Sequence, residues 1–427
     1  MTAPLVAHRH AEDREPPAGE QPGAPGGARP LPPRLPHRIR DDAEAIAVAH
    51  ELAALFEREA ALRDRERRLP FAEIERYTAS GLGGITVPRV HGGADVSFVT
   101  LAEVFAILCA ADPALGQIPQ NQFGVLALLR DIGTPAQQRR FFGDVMAGHR
   151  IGNAGPERGG KSMTDMRTRL VAAPDGLRLT GRRFYSTGAI FAHWIPTRAL
   201  DDADRPLQVW VRHDAPGVTV IDDWSSFGQR TTASGSVVFD AVAISPDDVI
   251  AVHAFADRPG LAGPISQLIQ AAIDMGIARA AFADTLAFVR DRARPWMDSG
   301  LDRAVDDPTI RHGVGALATN LHAAEEILRE AAATLDAVAA EPVTDASSAS
   351  ASVAVAEAKI LTTEIALEAS ETLFDLAGSA ATRAGPALDR HWRNARVHTL
   401  HDPVRWKFHL LGNYRLNGAF PRRHQWN

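Results

Sequence analysis

The sequence predicts an α+β fold in three consecutive parts: an N-terminal helical domain, a central antiparallel β-barrel or sandwich, and a C-terminal four-helix bundle. Three observations carry that expectation. Apolar residues recur at helical spacing between Asp41 and Gly148. Between Asn153 and Ala254 they switch to short alternating stretches separated by turn signals. Beyond Pro264, long stretches with few helix breakers return. A chain of 427 residues is too long for one small core and suits two or three domains.

The elements follow in order. Residues 1–36 hold nine prolines together with Gly19, Gly23, Gly26 and Gly27. Such a segment buries too little apolar surface to offset its ordering entropy, so it reads as a disordered tail. The helical domain is expected over 37–150. Its first helix runs from Ala43 to Arg68, with Val48, Leu52, Leu55 and Phe56 on one side, and Pro70 stops it. Acidic residues interleave the basic ones from Arg63 to Arg68, which reads as a solvated face. Further helices are expected at Thr100–Ala111 and Gln122–Asp131. The β domain, 151–256, offers strands at Arg167–Ala172, Leu177–Tyr185, Leu207–Val211, Val218–Asp222 and Ser236–Phe239, with turns at Pro174-Asp175-Gly176 and Ala215-Pro216-Gly217. In 257–427 a helix is expected over Ile265–Arg292. Val353, Ile360, Leu367 and Phe374 recur every seven residues, either filling the bundle or facing a second copy. Helices of about thirty residues span roughly 45 Å, a bundle dimension.

Composition excludes several classes of function. A net charge of −6 argues against a nucleic-acid footprint, and no apolar run reaches transmembrane length. The single cysteine, Cys109, rules out a disulfide framework and a cysteine-based metal site. The N-terminal residues lack the apolar stretch of a secretory signal, so the cytoplasm is the expected location. No phosphate-cradling loop, nucleophile elbow or H-E-x-x-H motif is present. His398 and His401 have a spacing compatible with a metal, yet no third ligand completes a site, and none is expected.

Four segments fall in the order found in the acyl-CoA dehydrogenase superfamily. Gly84-Ile-Thr-Val-Pro-Arg-Val-His-Gly-Gly93 resembles its G-I-x-V-P-x-x-x-G-G, and Ala111-Asp-Pro-Ala-Leu-Gly116 its D-x-S-L-G turn. Asp175-Gly-Leu-Arg-Leu-Thr-Gly-Arg-Arg-Phe-Tyr-Ser-Thr-Gly188 is similar to D-G-Y-x-L-N-G-x-K-x-W-I-T-N. Phe227-Gly-Gln-Arg-Thr-Thr-Ala-Ser-Gly-Ser-Val-Val-Phe239 is similar to L-G-M-R-A-S-x-T-x-x-x-x-F. Within the superfamily, Ala293-Arg-Pro-Trp296, Asp222-Asp-Trp-Ser-Ser-Phe-Gly228 and the segment from Asp389 to Pro403 resemble the reduced-flavin monooxygenase branch. That branch includes dibenzothiophene monooxygenase and the SfnB-type sulfur-acquisition oxidoreductases; Gln117–Gly124 and Ser225–Ser234 look most like the latter.

The resemblance implies an acyl-CoA dehydrogenase-like fold and a chemistry. Reduced FMN from a separate NAD(P)H:flavin reductase reacts with O2, and a flavin C4a-(hydro)peroxide oxidises a small organosulfur substrate. The protein's part is to shelter that reaction and place protons. By position, Thr187 meets flavin N5, with Ser186 turned away by strand alternation. His401 lies beside C4a, and His398 is a second flavin contact. Asn153 fixes a flavin carbonyl or a substrate oxygen, and Trp224 covers the flavin or walls the substrate cavity. Arg294 matches a flavin-phosphate contact, with Arg290 and Arg292 as neighbours able to take the role. Gln117 and Asn121 stand where dibenzothiophene monooxygenase has a histidine and a tyrosine, which implies a smaller, more polar substrate. Ala377–Gly385 is a poor match to the superfamily's G-G-x-G-Y segment, favouring FMN, with FAD as the alternative. A homotetramer is implied. The competing readings are an FAD-dependent acyl-CoA dehydrogenase using Asp402 as base, and a non-catalytic flavin-binding scaffold.

Overall fold

The computed structural model describes residues 30–159 and 165–427, so the first 29 residues of the expected tail lie outside the described residues. Residues 30–36 form no helix or strand, and the Leu31 carbonyl accepts from His193 Nε2 at 2.8 Å.

Helix α1 (Asp42–Glu57) starts where the Asp41 side chain accepts from the Glu44 N–H. The long first helix expected from the sequence is broken: α2 (Ala60–Glu66) follows after a turn and ends at Arg67, in the left-handed region. The break has a physical reason. It swings Arg63 inward, where its guanidinium meets Asp112 at 2.9 Å and Glu73 at 3.1 Å with 1% of the residue exposed. The solvated-face reading is therefore corrected for Arg63 and Asp64, both buried. Then come α3 (Phe71–Ala79), α4 (Phe98–Ala111), α5 (Pro113–Gln117), α6 (Gln120–Ile132) and α7 (Pro135–Met146). Asp112, held by Arg63, caps α5 by accepting from the Leu115 N–H at 3.1 Å. An ion pair on the second helix thus sets the start of the element that carries Gln117.

Seven strands form one sheet in the order β5-β6-β2-β1-β3-β4-β7. They are β1 (Arg169–Ala173), β2 (Gly176–Arg183), β3 (Trp194–Leu200), β4 (Pro206–Arg212), β5 (Val218–Ile221), β6 (Ser236–Ile244) and β7 (Val249–Ile250). Neighbours are antiparallel except β1 and β3, which run parallel, so the expected antiparallel strands make a single mixed sheet. Strand β3 escapes the sequence pattern because it is buried on both faces and contains Pro196.

The C-terminal part holds α8 (Ala262–Asp291), α9 (Pro308–Ala339) and α10 (Asp345–Ala377), of 30, 32 and 33 residues. Two shorter helices, α11 (Asp389–His398) and α12 (Arg405–Asn417), pack on α10. Helix α4 lies along α8, so Phe56, Leu101 and Phe105 share one continuous core with Leu268, Ile273, Leu335 and Val355. The sheet keeps a separate core of Leu179, Val209, Val237 and Phe239. Where the two cores face each other the interior stays open and polar. Among the described residues no helix is long and apolar enough to cross a membrane.

Helix α4 comes close to α8 at Gly276, where an added Cβ would lie 2.6 Å from the Ala106 carbonyl oxygen. Gly276→Ala is expected to destabilise the protein by about 1–3 kcal/mol in chemical denaturation, because backbone must give way. Gly143→Ala, on α7 with nothing within 4 Å, is expected to gain up to about 1 kcal/mol instead.

Candidate active site

The open seam is a cavity of about 750 Å³ between the sheet, the α5–α6 segment, α8 and the end of α11. Thr187 enters it from the turn after β2. Its Oγ1 lies 2.7 Å from Ser234 Oγ, which is 2.8 Å from Thr232 Oγ1, and Thr232 donates to the Gln229 carbonyl at 3.0 Å. This chain of hydroxyls has a chemical consequence. Ser234 carries one proton and can give it to either neighbour. Given to Thr187, with Thr232 turned from the Gln229 carbonyl to donate to Ser234, it leaves Thr187 free to donate into the cavity; given to Thr232, it makes Thr187 donate to Ser234 and offer lone pairs. Thr187 can therefore face a partner that is an acceptor in one redox state and an N–H donor in the other.

His401 closes the opposite wall, in the turn after α11. Its Nδ1 donates to the His398 carbonyl at 2.7 Å, which leaves the Nε2 lone pair to accept from the Gln117 amide at 3.0 Å. Surrounding protein, and then the neighbouring His398, hold its pKa below the ordinary histidine value, so the ring is neutral at pH 7. Behind it stands a buried ionic cluster. Asp274 on α8 receives His398 Nδ1 at 2.5 Å, Lys359 Nζ of α10 at 2.6 Å and Thr363 Oγ1 at 3.2 Å. Burial alone would raise the Asp274 pKa, but Lys359 and His398 hold it well below the carboxylate range. Burial keeps His398 neutral despite Asp274.

The wall from Trp224 to Gln229 is pinned to α11. The Gln229 N–H donates to Asn394 Oδ1 at 2.7 Å, and a Cβ on Gly228 would lie 1.9 Å from the Arg393 carbonyl oxygen, so only glycine fits. Trp224 Nε1 donates to the Gln229 carbonyl, and Phe184, Tyr185 and Trp224 cluster with ring centroids 4.6–6.3 Å apart.

Thr187, His401, Asn153, Trp224, Gln117 and Asn121 all line this one cavity. Asn153 Nδ2 points to the Tyr185 carbonyl at a long 3.4 Å, leaving its amide available. Ser186 does not line the cavity. The cause is the left-handed conformation of Tyr185, with φ 52°, since the strand has already ended at Arg183. Two of the expected residues lie outside the cavity of their own chain. His398 is fully buried behind His401 and does not line the cavity. Arg294 does not reach it either: α8 ends at Asp291, and the connection that follows leaves Arg294 exposed on the surface. Asp402 is turned away to a second cavity and sits 3.4 Å from Lys407.

Sequence reasoning passed over Ser234, Thr232, Gln120, Gln229, Gln270 and the Asp274–Lys359 pair. Lys359, one of three lysines in the chain and set in an apolar helix, was a visible signal for the last. The glutamines bear on the cofactor. Gln117 Oε1, Gln120 Oε1, Gln270 Oε1 and both amide atoms of Gln229 are buried without a partner among the described residues, and all four side chains line the cavity. Buried amides left open in this way fit a flat heterocycle edged with alternating donors and acceptors, and FMN has that edge. The residues present fit the group.

Comparison with known proteins agrees with the geometry. Models of the acyl-CoA dehydrogenase N-terminal and C-terminal domains match residues 39–149 and 268–406. Dibenzothiophene monooxygenase of Rhodococcus erythropolis is 33% identical over 410 residues, covering 92% of this chain and 98% of that protein. A probable FMNH2-dependent monooxygenase, SfnC, of Pseudomonas putida is 28% identical, covering 88% and 96%. The crystal structure of FMN-bound TdsC from Paenibacillus sp. A11-2 superposes with a TM-score of 0.86 at 32% identity, covering 90% of this chain and all of that one.

Lys359→Met should cost about 3–5 kcal/mol at pH 7, because it strands a buried carboxylate. The deficit against the unchanged protein should narrow toward pH 5 as Asp274, now short of its main cation, takes up a proton. A pH-dependence also follows for the unchanged protein. His398 has a folded pKa below the ordinary 6.5, so below that pH the unfolded chain binds more protons and stability falls. Stability should therefore decline as the pH falls from 7 toward 5.5, measured by chemical denaturation, and the decline should be smaller in His398→Gln.

Proposed function

The chain belongs to the acyl-CoA dehydrogenase family, and from that premise we propose that it is a flavin-dependent monooxygenase, which takes reduced FMN from a separate NAD(P)H:flavin reductase and uses O2 to oxygenate a small organosulfur compound. One observation carries the reading: a single cavity joins the Thr187 hydroxyl chain, the neutral His401 imidazole and four open glutamine amides, and no carboxylate lines it among the described residues. Removal of an α-proton from an acyl thioester needs a base within about 3 Å of the carbon. Asp402, the one candidate, faces elsewhere, and this tells against the dehydrogenase reading.

When bound, reduced flavin supplies the two electrons that split dioxygen between substrate and water. The chain's own residues do the rest. Gln117, Gln120, Gln229 and Gln270 hold the edges of the ring system. Thr187, switched by the Ser234 proton, serves the ring nitrogen whose protonation changes with redox state. His401 stays neutral at rest with its single Nε2 lone pair held by the Gln117 amide, and it would take or return a proton at the reacting face once that amide turns to the ligand. Trp224 with Phe184 and Tyr185 walls off solvent. Gln117, Asn121 and Asn153 give the substrate side a polar lining suited to a compact, polar organosulfur compound. Arg294, at the surface of its own chain, completes the flavin-phosphate site of a neighbouring copy in a homotetramer. We place the protein in the cytoplasm, beside its reductase.

The test is turnover under 18O2 with FMN, NADH and a flavin reductase, scored as label in an organosulfur product from a panel of sulfides, sulfones and sulfinates. One labelled atom per product is expected. Unlabelled product, or bleaching of the oxidised flavin by acyl-CoA thioesters, would contradict the proposal. His401→Gln should slow product formation by about a hundredfold and divert oxygen to hydrogen peroxide. Ser234→Ala should retain FMN binding but shorten, by about tenfold, the lifetime of the transient absorbance seen on mixing the reduced complex with O2.

A further inference from the structure

A third, smaller cavity of about 160 Å³ opens beside the first and shares Asn121, Asn153, Ser266 and Trp426 with it. Its far wall is basic. Arg183, at the end of β2, is 2% exposed; it donates to the Arg198 carbonyl, and its Nε has no partner. Arg198, on β3, lines the same cavity, and its side chain makes no hydrogen bond or ion pair among the described residues. The nearest carboxylate, Glu157, stands 3.4 Å from Arg183 and is already engaged by the Arg167 and Thr168 N–H groups and the Thr168 hydroxyl, at 2.7–3.0 Å. A third guanidinium, Arg158, lies over the Phe184 ring at the larger cavity. Among the described residues lining the two cavities there is no aspartate or glutamate.

This arrangement is costly as it stands. Burial, and for Arg198 the charge of Arg183, pull both guanidinium pKa values down to about 10, so both side chains remain cationic at neutral pH. Two neighbouring cations, Arg183 buried and Arg198 partly buried and unpaired, favour an anion held beside them. A fork of N–H donors in a small cavity is the geometry that receives a planar or tetrahedral oxyanion.

We propose that the smaller cavity is an oxyanion subsite in which Arg198, backed by Arg183, receives a carboxylate or sulfur oxyanion carried by the substrate. The substrate class is thereby an anionic organosulfur compound whose charged end lies against β3 while the remainder extends into the larger cavity. The inference deepens the monooxygenase reading and rests on it for the word substrate. The same chemistry could be supplied by the phosphate of FMN, and the experiment separates the two sources.

Methanesulfonate and dimethyl sulfone are nearly the same size and differ by one charge. Their affinities are measured by calorimetric titration of the FMN-loaded protein, and of the flavin-free protein should FMN not bind. The anion is expected to bind at least about tenfold tighter. Arg198→Gln should remove that preference, and Arg198→Lys should keep part of it, which separates lost charge from lost folding. Equal affinity for the two probes in the unchanged protein, or a preference that survives Arg198→Gln, would overturn the proposal. In a parallel arm, the ratio of FMN to riboflavin affinity should be the same in Arg198→Gln as in the unchanged protein. Collapse of that ratio would assign the guanidinium to the flavin phosphate and also overturn it. Label from 18O2 in a neutral sulfide with no preference for the anion would refute this inference alone and leave the monooxygenase reading intact.

Discussion

Asp274 is a carboxylate with no access to solvent, and three helices meet at it. It sits on α8, takes the ammonium of Lys359 from α10 and the imidazole of His398 from α11, and has a third donor in Thr363. A buried ion pair adds little net stability over an apolar replacement, but it fixes relative position, because each charge is expensive anywhere else. Here it fixes the end of α11, where the His398 carbonyl holds the His401 ring and that ring in turn meets Gln117. The Gln117 end is anchored separately through Arg63 and Asp112. Two buried ionic contacts, one on each side, therefore set the gap between His401 and the α5–α6 segment.

The cavity lies between two cores that pack well by themselves. Its glutamine amides stay open to a ligand instead of pairing with protein groups. Gly276 and Gly228 do the opposite work. At each, backbone approaches backbone too closely for a side chain, which brings α8 onto α4 and the Trp224–Gln229 wall onto α11. Tight contacts around the rim thus frame polar groups that remain free to engage a ligand.

Much of this was legible in the sequence. The order of helices, strands and helices follows from the change in apolar period, and Thr187, His401, Asn153, Trp224, Gln117 and Asn121 were all identified from motifs and converge on one cavity. The failures have physical causes. Strand β3 carries a proline and is buried on both faces, so it shows neither alternation nor the usual strand composition. The break between α1 and α2 depends on Arg63 finding Asp112, a partner 49 residues away that no local pattern reveals. Ser234, Gln229 and Gln270 are ordinary polar residues in sequence, and only the cavity gives them meaning. Arg294 was placed by its motif, whereas its own chain leaves it at the surface.

The central claim is that the space between Thr187 and His401 holds the isoalloxazine ring of FMN. A crystal structure of the protein with FMN bound tests it most directly. The account predicts the ring in that space, with Thr187 Oγ1 within hydrogen-bond distance of N5 and His401 over the C4a side. FMN found outside the cavity, or a ring whose N5 faces neither residue, would contradict it.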